Sequence, residues 1–262
     1  MEKPLNYDSL TNLNISFRKL TELPCWISEC KKLEKLNCSW NNIMHLDNLP
    51  QTLKYLEFQN NKITELNNLP QTLKVLNCTF NQITQLDNLP NTLEHLQCCC
   101  NKITQLNNLP STLETLTCVR NQITNLYNLP PTLKTLICEN NQITQLDNLP
   151  TTLEKICCSY NKLTELDNLP QTLKELYCEN NQITQLDNLP PTLTYLDCSR
   201  NNITNLNNLP PTLTYLDCSH NNITNLNNLS QGLIKLECDY NPLEYEFEPT
   251  LENIRNYSQN KL

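Results

Sequence analysis

Apolar and polar positions repeat along most of the chain with a period of 20 residues. One copy places apolar residues at Leu33, Leu36, Cys38, Ile43, Leu46 and Leu49, with Asn41 between them and Pro50 at the end. The same columns return in eleven copies, the last of which begins at Leu233. A fixed period of this length indicates a solenoid of stacked coils, because a single coil is too small to bury its own apolar residues.

Each copy predicts the same local elements. Leu56 and Phe58 alternate with polar neighbours, which predicts a short β-strand with one face inward. Asn61 follows, and its amide can bond the backbone of its own turn and of the neighbouring turn. Leu69-Pro70 then turns the chain, since the residue before a proline disfavours the α conformation. The return to the next strand is short and contains proline, so we expect extended or 3₁₀ backbone there.

Composition adds two expectations about the backbone and the thiols. Gly232 is the only glycine, so turns with positive φ must be made by asparagine, with pairs such as Asn67-Asn68 as the natural candidates. Ten of the 15 cysteines form one column, which comprises Cys38 and every twentieth residue from Cys78 to Cys238. Phe58 fills the same column, which indicates a buried apolar position and free, reduced thiols.

Charge and hydropathy exclude several classes of protein. No apolar run approaches the length of a membrane span, and the first nine residues lack the apolar core of a signal peptide. With free cysteines, this predicts an intracellular protein without membrane association. The formal charge of −8 argues against a nucleic-acid partner, which would require clustered lysine and arginine.

The repeat resembles the leucine-rich repeat family, whose consensus is L-x-x-L-x-L-x-x-N/C-x-L. The resemblance covers about residues 10–245 and implies an α/β-type leucine-rich repeat solenoid. Such a solenoid has a parallel β-sheet on its concave face and an extended or 3₁₀ convex side. We expect a gently curved arc with little true helix. The 20-residue period and the Leu-Pro-x-x-Leu turn look like the short repeats of bacterial effectors. The asparagine-rich, glycine-poor composition also suits the AT-rich genome of a large virus or an amoeba-associated organism.

The irregular ends suggest three segments. Residues 1–9 are expected to form an N-terminal leader or cap. Residues 10–241 form the array, in which one degenerate unit with a short helix after Pro24 precedes the eleven regular units. Residues 242–262 are expected to cap the last repeat through a short helix that begins after Thr250, with Leu251, Ile254 and Tyr257 on one face.

The concave strand face is the expected functional surface, because its residues vary between repeats whereas the core does not. Its C-terminal half combines aromatic residues, which are typical interface anchors, with many carboxylates. This predicts a protein or peptide partner of basic character. The residues expected to bind it are Ile137, Cys157, Glu175, Tyr177, Glu179, Tyr195, Asp197, Tyr215 and Asp217. Cys157 is expected to be exposed there as a small apolar contact.

Reactive chemistry finds little support in the sequence. His95 lies near Cys99 and Cys100, but neither an orienting third group nor an oxyanion hole is evident. We expect no enzyme, metal or cofactor. Some of the bacterial effectors that this repeat resembles carry a ubiquitin-ligase domain after their repeats. Only about 20 residues follow the array here, so we do not expect that activity in this chain.

Three functional hypotheses remain. The first is a non-enzymatic protein-protein interaction module, located in the cytoplasm of its own cell or of a host cell. The second is a structural or self-associating repeat protein. The third is a thiol enzyme at Cys99 or Cys100. The sequence identifies neither the partner nor the oligomeric state, and it leaves open whether the concave or the convex face is used.

Overall fold

The computed structural model describes residues 2–227 and 229–259. Its chain divides into two compact units, an N-terminal unit of residues 1–123 and 127–134 and a C-terminal unit of residues 124–126 and 135–262. Among the described residues, no helix has the length and apolar character needed to cross a membrane.

The N-terminal unit contains six three-residue strands that pair in parallel and in sequence order, each in register with its neighbour. The strands are β1 (Asn12–Asn14), β2 (Lys35–Asn37), β3 (Tyr55–Glu57), β4 (Val75–Asn77), β5 (His95–Gln97) and β6 (Thr115–Thr117). Short 3₁₀ turns at Tyr7–Ser9 and Cys25–Glu29 flank the first strand.

The C-terminal unit continues the same design and ends in a helix. Its strands also pair in parallel, so that Leu196 lies opposite Leu176 and Leu216. They are β7 (Thr135–Ile137), β8 (Lys155–Cys157), β9 (Glu175–Tyr177), β10 (Tyr195–Asp197), β11 (Tyr215–Asp217) and β12 (Lys235–Glu237), and they precede α1 (Leu251–Gln259). The predicted solenoid of short parallel strands with little helix is confirmed.

The core of each coil consists of the repeated leucines, the isoleucine and the cysteine column. Leu56, Phe58 and Ile63 are completely buried in one coil. All ten thiols of the column are free and buried, as predicted. Six of their Sγ atoms contact carbonyl oxygens of the next strand, as Cys178 does with Asp197 at 3.3 Å, and that of Cys238 contacts the Pro249 carbonyl at 3.4 Å. Burial raises the pKa of Cys38 to about 12, so these thiols are protonated and unreactive at neutral pH.

The repeated asparagine joins successive coils through its side-chain amide. Asn61 donates from Nδ2 to the carbonyls of Phe58 at 3.0 Å and Cys38 at 3.1 Å, and its Oδ1 accepts the amide of Ile43 at 2.9 Å. From Asn41 to Asn221 the members of this column are buried. Their amides therefore satisfy backbone groups that would otherwise be unpaired in the interior.

The return segments are extended and contain tight turns. In each turn with a Leu-Pro pair the proline carbonyl accepts the amide three residues on, as Pro70 does from Leu73 at 3.2 Å, and Ser230 takes this role in the last turn. The 3₁₀ backbone expected there is absent from the regular returns in the described residues. The asparagine before each Leu-Pro pair has the predicted positive φ, which is 61° at Asn68. A threonine after each turn adds a bond that the pattern did not indicate, since Thr72 Oγ1 donates to the Leu53 carbonyl at 2.7 Å.

A second column of positive φ angles contradicts the expectation that asparagine makes these turns. It lies directly before the buried asparagine, and it includes Trp40 at 56°, Phe80 at 54°, Arg120 at 54° and Tyr160 at 56°. The backbone is held there by the neighbouring coil, because the amide of Trp40 donates to the Gln59 carbonyl at 2.8 Å and that of Phe80 to the Cys99 carbonyl at 2.9 Å. Residues of any size must therefore adopt this conformation.

The C-terminal segment contacts the last coil. Thr250 Oγ1 accepts the amide of Asn253 at 3.2 Å, which confirms it as the N-cap of α1. Ile254 is buried, and Arg255 donates to the carbonyls of Gln231 and Leu233. Residues 260–262 of the predicted cap lie outside the described residues, and the three-segment division stays a prediction.

Candidate functional site

All the predicted binding residues except Glu179 lie on the outward positions of the strands of the C-terminal unit, here called the strand face, and Glu179 follows two residues after the end of β9. The first and third residues of these strands alternate with a middle leucine or isoleucine that points into the core and is buried in β7 to β11 and partly buried in β12. Register aligns Glu175 with Tyr195 and Tyr215 in one column, and Tyr177 with Asp197 and Asp217 in the next.

Three tyrosine rings stack across these columns, and we call them the tyrosine row (Tyr177, Tyr195 and Tyr215). The ring centroids of Tyr177 and Tyr195 are 4.6 Å apart with an interplanar angle of 30°. Those of Tyr195 and Tyr215 are 4.2 Å apart and nearly parallel at 3°. Tyr177 comes from a different column, so its ring reaches diagonally to Tyr195. The row is therefore a preformed aromatic surface that spans three strands.

A lysine closes each end of the tyrosine row. Lys155 Nζ lies 4.8 Å from the ring centroid of Tyr177, and Lys235 Nζ lies 5.0 Å from that of Tyr215. The ammonium groups also pair with carboxylates, Lys155 with Glu175 at 2.7 Å and Lys235 with Glu237 at 2.6 Å. The hydrogen bond to Glu175 raises the pKa of Lys155, which keeps this lysine charged. Both outer ring faces are therefore occupied, and a partner meets ring edges and hydroxyls.

Two aspartates beside the tyrosine row keep carboxylate charge on the strand face. Asp197 Oδ1 accepts the amide of Ser199 at 3.1 Å and its hydroxyl at 2.7 Å, and Asp217 Oδ1 has the same two bonds from Ser219. Neither aspartate has a lysine or arginine within salt-bridge distance in the described part of the chain. Burial raises the pKa of Asp197, and the nearby Asp217 and Glu237 charges add to this effect.

Three predicted site residues differ from expectation. Cys157 was expected to be exposed, but only 6% of it is accessible because it lies between Ile137 and Tyr177 in register. Burial raises its pKa to about 11. Glu175 and Glu179 are less available to a basic partner than expected, since Glu175 is paired with Lys155 and Glu179 lies 3.4 Å from Arg200.

The sequence identified the tyrosines but missed the lysines. Both Lys155 and Lys235 belong to the same outward column as Tyr195, so the signal was present in the pattern. Their position above the rings depends on side-chain direction, which the period does not give.

The alternative thiol site has unfavourable electrostatics for a nucleophile. Cys99 Sγ donates to the Thr117 carbonyl at 3.7 Å, and burial raises the pKa of this thiol. Among the described residues, no group of three or more histidine, cysteine or acidic side chains could hold a metal ion.

Comparison with known proteins identifies the repeat. Residues 151–191 match the family model for leucine-rich repeats in two copies. The structure resembles YopM from Yersinia enterocolitica, with 32% identity and a TM-score of 0.63 over 80% of this chain and 56% of that chain. An internalin (inlF) from Listeria monocytogenes has 25% identity and a TM-score of 0.79, over 90% of this chain and 75% of that one. The comparison with curated protein sequences finds no match.

A third similar structure shares the cysteine feature. InlJ from Listeria monocytogenes, whose functional domain is described as including a cysteine ladder, has 30% identity and a TM-score of 0.66. The match covers 91% of this chain and 65% of that chain. The chain thus spans just over half of the YopM chain and about two thirds of the InlJ chain.

These findings define the class of the chain as a leucine-rich repeat solenoid, with bacterial effectors and internalins among its structural neighbours. Leucine-rich repeats typically act as protein-interaction modules, and the neighbours are generally non-enzymatic.

Proposed function

We propose that this chain is a non-enzymatic binding module that holds a basic protein segment on the strand face of its C-terminal unit. The observation that carries the proposal is the tyrosine row beside Asp197 and Asp217. Stacking fixes the rings before a partner arrives, so binding does not have to order them. The hydroxyls of Tyr177 and Tyr215 donate to Glu175 at 3.3 Å and to Glu237 at 3.0 Å, so their oxygens face a partner as acceptors. The two aspartates offer charge to a lysine or arginine.

The cellular compartment is inferred from the buried cysteines. Buried thiols that are free and protonated suit a reducing compartment, and we propose the cytoplasm of the source cell or of a host cell. The effector-like neighbours support the second of these.

Selection of binding peptides from a displayed random library would test the proposal. The intact chain should enrich peptides that contain lysine or arginine. A Tyr195→Thr/Tyr215→Thr variant should lose that enrichment, and threonine is already present at the same strand position in Thr115 and Thr135.

The matched control is Tyr55→Thr, which changes the equivalent exposed tyrosine of β3, beneath Lys35 at 4.6 Å. This variant should select the same peptides as the intact chain. Equal selection by the double variant, or enrichment of acidic peptides, would reject the proposed site. Concentration-dependent size in solution would favour the self-associating alternative.

A further inference from the structure

A second surface on the N-terminal unit has a different chemistry from the strand face. It consists of the residues with positive φ that lie between each strand and the buried asparagine, and we call it the edge column (Phe17, Trp40, Asn60, Phe80, Cys100 and Arg120). Phe17 is 69% exposed, and Trp40 and Phe80 are each 50% exposed. The rings of Phe17 and Trp40 stack at 5.3 Å with an interplanar angle of 11°.

The backbone makes these aromatic residues unexpected. Trp40 and Phe80 have φ angles of 56° and 54°, a conformation that is unfavourable for bulky side chains and easiest for glycine and asparagine. Asn60 has the same conformation in the intervening coil, which shows that asparagine is compatible with the fold at this position. Because the aromatic rings are half exposed, core packing does not offset the cost. Strained backbone under an exposed aromatic residue indicates a role in contact with another molecule.

Hydrogen bonding is also incomplete beneath this surface. Among the described residues, two buried side-chain oxygens have no hydrogen-bond partner, Ser39 Oγ and Gln59 Oε1. Ser39 directly precedes Trp40 and Gln59 directly precedes Asn60, so both lie at the edge column. Ser39 itself is only 1% exposed. Unpaired buried polar atoms are uncommon in native structures, and where they occur they call for an explanation such as a functional role of the site.

The charges around the edge column have one sign. In the five regular coils of this unit, Arg120 occupies an edge position, and Lys62 and Lys102 lie two residues after one. In the first, irregular coil, Arg18 and Lys19 directly follow Phe17. None of these five cations pairs with a carboxylate in the described part of the chain. The residues directly before the column, from Ser39 to Val119, are all uncharged. In a chain of formal charge −8, this local basic surface is complementary to an acidic ligand.

The spacing of the exposed rings indicates the conformation of that ligand. Neighbouring strands lie about 4.8 Å apart, so Trp40 and Phe80, which are two coils apart, are separated by about 9.6 Å along the stack. A polyproline II helix repeats its face every three residues, or about 9.3 Å. A β-strand would present alternate residues at about 6.7 Å, which does not match. Asn60, between the two rings, could donate its amide to the unpaired carbonyls of a polyproline II backbone.

We propose that the edge column of the N-terminal unit binds an acidic, proline-containing protein segment in the polyproline II conformation. Prolines three residues apart lie against Trp40 and Phe80, the Asn60 amide bonds the backbone between them, and Lys62, Lys102 and Arg120 pair with carboxylates beside the prolines. Recognition of polyproline II segments by rows of aromatic side chains is an established physical mode, because the ligand is already ordered before binding. This surface is independent of the strand face, and neither proposal requires the other.

A single-stranded nucleic acid would use the same two kinds of contact, but the structure favours the peptide. The overall charge of −8 repels both ligands, but a nucleic acid carries a charge on every nucleotide, whereas the peptide needs only one carboxylate per turn and is repelled less. In addition, one face of Trp40 is already covered by Phe17, which leaves less ring surface for stacked bases.

Fluorescence anisotropy with labelled synthetic probes on the intact chain tests the proposal. The probes are a peptide of repeated Pro-Pro-Glu triplets, the Pro-Pro-Lys and Ser-Ser-Glu peptides of equal length, and an oligothymidylate. The acidic proline peptide should bind at low salt and weaken as salt is added, and the other two peptides should bind at least about tenfold more weakly. Trp26 is buried, so the exposed Trp40 should dominate any change in tryptophan emission.

The variants separate a binding role from a structural one. Trp40→Asn and Phe80→Asn should each reduce affinity by about tenfold, as expected for aromatic anchors, while the midpoint of chemical unfolding is unchanged or raised. The matched control is Tyr160→Asn, which alters the same position and φ angle in the C-terminal unit and should leave affinity unchanged.

Several results would overturn the proposal. These are absence of binding to the acidic proline peptide, equal binding of the lysine peptide, or preferential binding of the oligothymidylate. An equal loss of affinity in Tyr160→Asn would also overturn it. A large loss of stability in Phe80→Asn would show that the aromatic residue is structural.

Discussion

Each unit has a core built from the same repeated residues, and the two units differ in where they expose aromatic and charged residues. On the strand face of the C-terminal unit, tyrosines stack among four carboxylates and two lysines. On the strand face of the N-terminal unit, Lys35 and Glu57 are the only lysine and carboxylate among the equivalent outward positions of its five regular coils. Apart from Tyr55 on β3 and Tyr127 on a return segment, the exposed aromatic residues of this unit lie on the edge column, among cations. Repetition of the core therefore leaves each outward column free to acquire its own chemistry.

The edge of the C-terminal unit shows the same independence. Its positions equivalent to the edge column and the residues directly before them together carry both signs of charge, as Arg200 and Glu179 show, and the aromatic residues there have partners of their own. Tyr160 donates to Glu179 at 3.4 Å, and His220 stacks on Tyr240 at 4.2 Å. An identical backbone thus supports a mixed edge in one unit and a basic edge in the other.

The largest expected loss of stability comes from removing a buried asparagine, and it tests whether the cores of the two units are equivalent. Asn101→Ala in the N-terminal unit and Asn181→Ala in the C-terminal unit each remove two donated bonds and one accepted bond to buried backbone. Each change should lower the free energy of unfolding by about 3 kcal/mol. Urea unfolding of both variants measures this, with the exposed Gln82→Ala as the neutral control. Clearly unequal losses would show that the two cores are not interchangeable.

A smaller effect should come from the tyrosine row. Tyr195 lies between two rings, so Tyr195→Thr should lower the free energy of unfolding by about 1 kcal/mol, beyond what Tyr55→Thr costs in the N-terminal unit. Urea unfolding and near-ultraviolet circular dichroism report the loss of stability and of stacking. Equal costs at both positions would mean that stacking adds nothing to stability.

The smallest expected effect is a gain in stability, and it comes from Asp197→Asn. Asn77 in β4 accepts the amide of Thr79 at 3.1 Å, as Asp197 accepts that of Ser199, so Asp197→Asn gives β10 the chemistry of the N-terminal unit. Because burial raises the pKa of Asp197 in the folded state, its stabilising contribution is present below the ordinary aspartate pKa and is lost as pH rises through the folded-state pKa.

The Asp197→Asn variant should therefore match the intact chain at low pH and be more stable at neutral pH, by less than about 1 kcal/mol because the side chain is partly solvated. Urea unfolding at several pH values measures the gap between the two proteins. A gap that is constant with pH would contradict the assigned cause, and the gain in stability should be accompanied by weaker binding of basic peptides.

The sequence predicted the repeating structure because every coil has the same pattern of apolar and polar residues. Leu56, Phe58 and Asn61 have equivalents in every regular copy, so strand, core and buried amide follow from the period alone. The contacts of the candidate site did not follow from the period. Stacking of Tyr177 on Tyr195 joins two different columns, and burial of Cys157 depends on the size of Ile137 and Tyr177 beside it. These features depend on side-chain volume and direction.

The second positive-φ column was missed for a physical reason. Composition limits which residues prefer a left-handed conformation, but it does not reveal where the backbone of a neighbouring strand imposes one. At Trp40 the bond to the Gln59 carbonyl fixes the backbone whatever the side chain. The pattern of residue types is therefore a poor guide to such positions, although it located Asn68 and its equivalents correctly.

The amide column has a consequence for how the gene can change. Each of these asparagines bonds the coil before it through groups that every regular coil supplies, as Asn181 does with Cys158 and Leu163. Loss or gain of one or more whole blocks of 60 nucleotides would therefore leave every bond of the column with a partner, whereas an insertion that is not a multiple of 60 nucleotides would not. Residues 190–209 and 210–229, which differ only at Arg200 and His220, show the result of such a duplication. New binding surfaces can arise in this chain by recombination in register, without any change to its interior.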